Sequence, residues 1–206
     1  MNSNLDLFDL DGTLIYGNGS FSFCCYLVKK SILSPFHLLY ALFVYLLSSL
    51  GFLSQRALHE KIFAHALRGK KLSQIESFIP SFLSGFLERS VNPSTLSYLQ
   101  EAQKSGSRVV LLSNSPSFLV APIAVYFGIE EWGATEYRVD EKGVFCDIAH
   151  VMDGEAKAAY AAGLISGKKN ITVYSDSYQD LPLLQMATKT VLVNPDRKLL
   201  RWKKGH

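Results

Sequence analysis

Asp9 and Asp11 stand one residue apart in the run Leu5-Asp6-Leu7-Phe8-Asp9-Leu10-Asp11-Gly12-Thr13-Leu14. An apolar run that reads as a buried strand therefore ends in two carboxylates and a glycine turn. Carboxylates repel each other and are rarely left together at such a place unless something positive sits there. A hard cation with oxygen ligands, Mg²⁺ above all, suits that donor set. One Asp could then attack phosphorus while the other handles the proton. The competing reading is a helix cap or a turn after an edge strand, so the rest of the chain must decide.

Other strand ends offer matching groups. Val109–Leu112 reads as a short buried strand that delivers Ser113 and Asn114, and Ile171–Tyr174 as another that delivers Ser175 and Asp176. Phosphoryl transfer spreads negative charge over three oxygens and needs them held in line. In that scheme Asp9 is the nucleophile and Asp176 shares a metal ion with it. Ser113 donates a hydrogen bond to a phosphoryl oxygen and Lys157 supplies a point charge. Asp180 orients Lys157 or a metal-bound water. Each residue alone has an ordinary explanation as a turn residue, a helix cap or a solvated charge. Their joint order along the chain does not.

The elements that must position these groups follow from pattern. From residue 92 onward strands alternate with helices. Ser94–Lys104 reads as a helix capped by Ser94 or Asn92, Arg108–Leu112 as a strand, and Pro116–Phe127 as a helix stopped by Gly128. A hairpin spans Thr135–Ile148 around Asp140-Glu141-Lys142-Gly143. Glu155–Ile165 and Leu181–Ala187 read as helices, and Thr190–Val193 as the last strand. Alternation of this kind implies an α/β fold with a parallel, doubly wound sheet, whose ligands bind at the carboxyl ends of the strands. Between Ser20 and Val91 every extended segment reads as helix. The spacing of Ile75, Phe78, Ile79, Phe82, Leu83, Phe86 and Leu87 predicts one amphipathic helix, kinked or started at Pro80.

Four segments together resemble the motifs of the haloacid dehalogenase-like phosphatases: Asp9-Leu10-Asp11-Gly12-Thr13, Leu112-Ser113-Asn114-Ser115-Pro116, Gly154-Glu155-Ala156-Lys157 and Ser175-Asp176-Ser177-Tyr178-Gln179-Asp180. The resemblance implies a Rossmann-like parallel sheet core with an inserted all-helical cap domain. The core would comprise residues 1–17 and 92–206, and the cap residues 18–91. It also implies a Mg²⁺-dependent phosphomonoesterase working through an aspartyl-phosphate. By that resemblance Asp9 is nucleophile and metal ligand. Asp11 is the general acid/base and lends its main-chain carbonyl to the metal. Ser113, Asn114 and Lys157 bind phosphate, and Asp176 ligates the metal with Asp180 behind it. The insert looks like the cap of the phosphoserine-phosphatase-like subgroup. One departure weakens phosphoserine as substrate: the turn Tyr16-Gly17-Asn18-Gly19-Ser20 lacks the glutamate that would hold a substrate amine.

Ser31–Gln55 contains no Asp, Glu, Lys or Arg, with Lys29-Lys30 before it and Arg56 after. A single membrane span is excluded by topology, because Asp9 precedes the segment and Ser113, Lys157 and Asp176 follow it. A membrane-dipping hairpin, an interfacial helix, a cap packed on itself and a homodimer contact remain. The basic tail Arg197-Lys198-Leu199-Leu200-Arg201-Trp202-Lys203-Lys204 resembles an interfacial anchor or a solvated terminal helix. The Ser20–Leu53 pattern, mostly in its hydrophobic character, and the segment Tyr174-Ser175-Asp176-Ser177-Tyr178-Gln179-Asp180-Leu181-Pro182-Leu183-Leu184 also resemble a bacterial phosphatidylglycerophosphatase of the same superfamily, which makes a lipid-type phosphomonoester a candidate beside phosphoserine and other small metabolites. A docking protein on an inactive core is the non-enzymatic alternative.

Over 206 residues the apolar fraction is 48% and the charged fraction 19%, and the formal net charge is +3. That charge is too small for a nucleic-acid partner, but it is compatible with an anionic small substrate or lipid surface. Cys24, Cys25 and Cys146, an odd set, form no disulfide framework and read as small buried apolar residues in a reducing compartment. The expected location is cytoplasmic, with peripheral inner-membrane contact as the extension. No leader peptide is expected, because the strand bearing Asp9 begins within the first few residues.

Overall fold

The computed structural model describes residues 3–205. Its centre is β1 (Asn4–Asp9), flanked on one side by β2 (Arg108–Pro116) and on the other by β5 (Asn170–Ser175), both parallel to it. With β3 (Glu131–Val139), β4 (Phe145–His150) and β6 (Lys189–Leu192) the sheet order is β4-β3-β2-β1-β5-β6. The β2–β3 and β5–β6 pairs are parallel, and β3–β4 is the antiparallel hairpin expected around residues 140–143. The sheet is therefore mixed, with one hairpin appended to a parallel core.

Two apolar clusters cover the two faces, and strand periodicity sorts residues between them. Leu5 and Leu7 join Val110, Leu112, Ile171 and Val173 on the face covered by α8 (Gly154–Ala162), α9 (Leu181–Leu184) and α10 (Arg197–Gly205). Phe8 packs on the other face with Leu111 and residues of α6 (Pro93–Lys104) and α7 (Ser117–Tyr126). Asp9 has the parity of Leu5 and Leu7, so the alternation sends it to the face where α8 carries Lys157. Asp6 has the opposite parity. It is buried, but the Ser107 and Tyr174 hydroxyls donate to its carboxylate, which makes it a satisfied structural acid.

Between β1 and α6 lie five helices: α1 (Gly19–Lys29), α2 (Pro35–Ser49), α3 (Gln55–Ala66), α4 (Leu72–Glu76) and α5 (Ile79–Ser90). Asn18, Ser34 and Ser54 cap the first three, each accepting a main-chain N–H of the first turn. The single helix predicted over Ile75–Leu87 is two, α4 and α5. Pro80 lies in the first turn of α5, where its missing N–H costs nothing. The helix expected over Leu181–Ala187 is also shorter. A 3₁₀ turn (Tyr178–Asp180) leads directly into α9, which ends at Leu184. The three cysteines are free thiols but half-buried rather than buried, and burial pushes the Cys24 thiol up to about 11. The tail is a helix, α10, anchored by Leu199 in the core, with Trp202 packed against the same cluster.

Candidate functional site

The β1 strand ends by delivering Asp9 into a buried position, and α8 brings Lys157 to meet it. Lys157 Nζ donates to Asp9 Oδ1 at 2.6 Å and to Asp180 at 2.9–3.0 Å. All three side chains are almost inaccessible to solvent. The close approach of α8 depends on Gly154: a Cβ there would overlap the Gln179 carbonyl. Asp153 caps the helix by accepting from the Ala156 N–H at 3.0 Å. Asp180 is fixed from the far side by the Ser175 hydroxyl, which donates at 2.7 Å.

Asp176 follows β5 and lies against Gly12. Gly12 has φ +81°, and a Cβ there would collide with the Asp176 carboxylate. Only glycine satisfies both the left-handed backbone and the close approach. Asp11 points instead toward the insert. The Gly19 N–H, in the first turn of α1, donates to Asp11 Oδ1 at 2.5 Å, and Ser115 Oγ donates to Oδ2 at 2.7 Å. Ser113 Oγ lies 3.5 Å from the same oxygen and accepts the Ser115 N–H at 3.0 Å. Asp9, Asp11, Ser113, Lys157, Asp176 and Asp180 thus converge on one end of the sheet, as the strand-end rule requires.

The electrostatics are lopsided. Burial raises Asp9 well above the usual carboxylate range; Lys157 opposes this, while Asp180 and Asp176 add to it. Burial also raises Asp11, against the hydrogen bonds from Ser115 and Gly19. Asp176 is pushed up to about 7 by burial and then by Asp180. Burial alone would lower Lys157, but Asp180 and Asp9 more than offset it and hold the amine firmly protonated. Four carboxylates therefore share one ammonium group in a poorly hydrated space, a charge imbalance that a divalent cation would relieve. Among the described residues no three His, Cys, Asp or Glu side chains form a ready metal cage. The available donors are instead the Asp9 and Asp176 carboxylates beside the main chain of the Asp11-Gly12 turn, an all-oxygen set that fits Mg²⁺.

Asn114 sits next to Ser113, but its amide donates to Gln55 Oε1 at 3.0 Å, and Thr135 Oγ1 donates to its main-chain carbonyl at 2.7 Å. Asn114 therefore joins the β2 end to α3 of the insert. His59, one turn further along α3, lies 3.3 Å from the Tyr137 hydroxyl, and burial lowers its pKa to about 4, against a hydrogen bond with Asn114 and the charge of Asp153. Sequence reasoning missed Gln55, His59, Ser115 and the packing role of Gly154. Ser115 and Gly154 lay inside the quoted motifs, whereas nothing in the local pattern of α3 marks Gln55 or His59.

A haloacid dehalogenase-like hydrolase profile matches residues 7–185. A histidinol-phosphatase of Neisseria meningitidis is 25% identical over 214 residues, covering 95% of this chain and 92% of the relative. A protein of unknown function from Bordetella pertussis superposes with a TM-score of 0.87 at 21% identity, over 99% of this chain and 96% of its own. A phosphoserine phosphohydrolase-like protein of Francisella tularensis superposes with a TM-score of 0.71 at 22% identity, over 92% and 86% respectively. The chain belongs to the haloacid dehalogenase-like hydrolase family.

Proposed function

We propose that this hydrolase is a Mg²⁺-dependent phosphomonoesterase that acts through an aspartyl-phosphate on Asp9, with residues 18–91 serving as a cap over a core of residues 1–17 and 92–206. The observation that carries this reading is the Lys157 bridge between Asp9 and Asp180, with Asp176 seated against Gly12 beside it.

Asp9 and Asp176, with the Asp11 carbonyl, would hold the ion, which supplies charge neutralisation for Asp9 and the phosphoryl oxygens when bound. Lys157 keeps Asp9 in place and adds positive charge beside the nucleophile. Ser113 Oγ and the Asn114 main chain border the phosphoryl position. In the first step an Asp9 oxygen forms a bond to phosphorus, the bond to the leaving oxygen breaks, and Asp11 gives that oxygen its proton. In the second step Asp11 takes a proton from water as the water oxygen bonds to phosphorus. The Asp9–phosphorus bond then breaks and inorganic phosphate leaves. The raised pKa of Asp11 suits a group that must be protonated in one step and basic in the next.

The substrate class is a phosphomonoester whose non-phosphate part is apolar or lipid-like. Two observations support this: no acid stands in the Tyr16–Ser20 turn to hold an amine, and the insert residues bordering Asn114 are the uncharged Gln55 and a neutral His59. The names of the Neisseria and Francisella relatives support phosphomonoester chemistry on small molecules as the second reading.

The test is turnover of p-nitrophenyl phosphate with and without Mg²⁺, for the native protein and Asp9→Asn. The native protein should turn over only with the ion, and the variant should lose at least ~1000-fold. Unchanged turnover in Asp9→Asn would remove Asp9 from the chemistry.

A further inference from the structure

Helix α2 turns large apolar side chains toward solvent. Phe36 is 76% exposed; Leu39, Phe43, Tyr45 and Leu46 are each more than half exposed; and Phe52, past the helix end, is 74% exposed. At about 100° per residue, the exposed positions cover about 180° of the helix circumference. The opposite side, with Ala41 and Val44, packs inward. Single exposed hydrophobes need no explanation, but a contiguous face of this kind marks a docking surface.

Charge identifies what covers it. No Asp or Glu occurs between Asp11 and Glu60, while Lys29, Lys30 and Arg56 flank the apolar segment and are exposed. The first acid, Glu60, is already paired with Arg56 at 2.9 Å. We propose that the exposed face of α2, with the Leu50–Leu53 turn that follows, docks this protein on an anionic phospholipid bilayer, the helix lying in the plane of the interface. An exposed apolar face flanked in sequence by basic residues is what an anionic lipid surface attracts.

Other occupants fit less well. A span is out of reach: the 15 residues of α2 rise about 22 Å, against a hydrocarbon core of about 30 Å. Among the described residues no helix is long and apolar enough to cross. A second copy docked by the same segment would bring no acid to meet Lys29 and Lys30, since none occurs between Asp11 and Glu60. A single partner helix covers a narrow seam and leaves much of a half-circumference face in water.

The test is flotation of the full chain with vesicles of phosphatidylcholine alone and of equal parts phosphatidylcholine and phosphatidylglycerol. The native protein should float with the anionic vesicles and much less with the neutral ones. Leu39→Glu with Phe43→Glu should cut flotation by roughly tenfold or more, because two apolar contacts are replaced by like charge. Neither residue belongs to the site, so p-nitrophenyl phosphate turnover should stay at the native level, which separates a docking failure from a failure of the chemistry. Val125→Glu adds charge at an exposed position of α7, 78% accessible, and should leave flotation intact. No flotation of the native protein would overturn the proposal. So would equal loss in Val125→Glu, or a solution dimer that the α2 substitutions dissociate while vesicle binding is absent.

Discussion

Lys157 stands between Asp9 and Asp180, and its removal tests what that pairing is worth. Breaking a buried pair by deleting one partner leaves an uncompensated charge and typically costs about 3–5 kcal/mol. Lys157→Met should therefore lower the urea-unfolding free energy by roughly that amount and abolish turnover. A loss indistinguishable from that of a surface lysine substitution would mean the ammonium group is not the counter-charge described. Gly12 makes a second case. Gly12→Ala adds a methyl where the Asp176 carboxylate lies, on a backbone at φ +81°. Asp176 must then move, so the Mg²⁺ concentration for half-maximal turnover should rise roughly tenfold or more. An unchanged Mg²⁺ requirement would dissociate Asp176 from the ion. The candidate site residues were legible as a set because an aspartate pair, a serine, a lysine and a second aspartate pair carry their chemistry in their identity and order. Asn114 was legible as a neighbour of the site, but its tie to Gln55 depends on where α3 lies, and no local pattern encodes that.

At the scale of elements, β2 illustrates where local reading stops. Sequence pattern ends it at Leu112, yet the strand continues to Pro116 because Pro116 pairs with Thr135 after a register shift. That irregularity falls on Ser113 and Asn114, and bulges commonly re-aim side chains beside active sites. The pairing partner is 19 residues away in sequence, so the extension could not be read locally. The break between α4 and α5 is similar: the apolar periodicity of Ile75–Leu87 runs through it, and only Pro80 hints at a new start. Helix α3 adds a titration. Burial holds His59 near 4, while in the unfolded chain it titrates near 6.5. Between those values the unfolded chain binds more protons, so His59 makes stability fall as pH drops through that window. The unfolding free-energy difference between the native protein and His59→Gln should shift against the native protein by on the order of 1–3 kcal/mol from pH 7 to pH 4. A difference that stays flat over that range would mean His59 is open to water.

For the whole molecule, the parallel core and the meeting of the motifs at one end of the sheet follow from alternating strands and helices, together with the rule that ligands gather at strand ends. The order β4-β3-β2-β1-β5-β6 places β1 at the centre, so both of its neighbours contribute to the site. What the sequence left open was the insert. Its apolar character was plain, but whether α2 faces inward or outward depends on how α1 and α3 pack against it, and that is settled by many weak contacts. The proposed chemistry stands or falls on whether Asp9 carries the phosphoryl group during turnover. The most direct measurement is peptide mass analysis of protein acid-quenched during turnover of p-nitrophenyl phosphate with Mg²⁺. A phosphoryl group on the peptide containing Asp9 is the predicted result. Steady turnover with that peptide unmodified, and the phosphoryl group on another residue or on none, would contradict it.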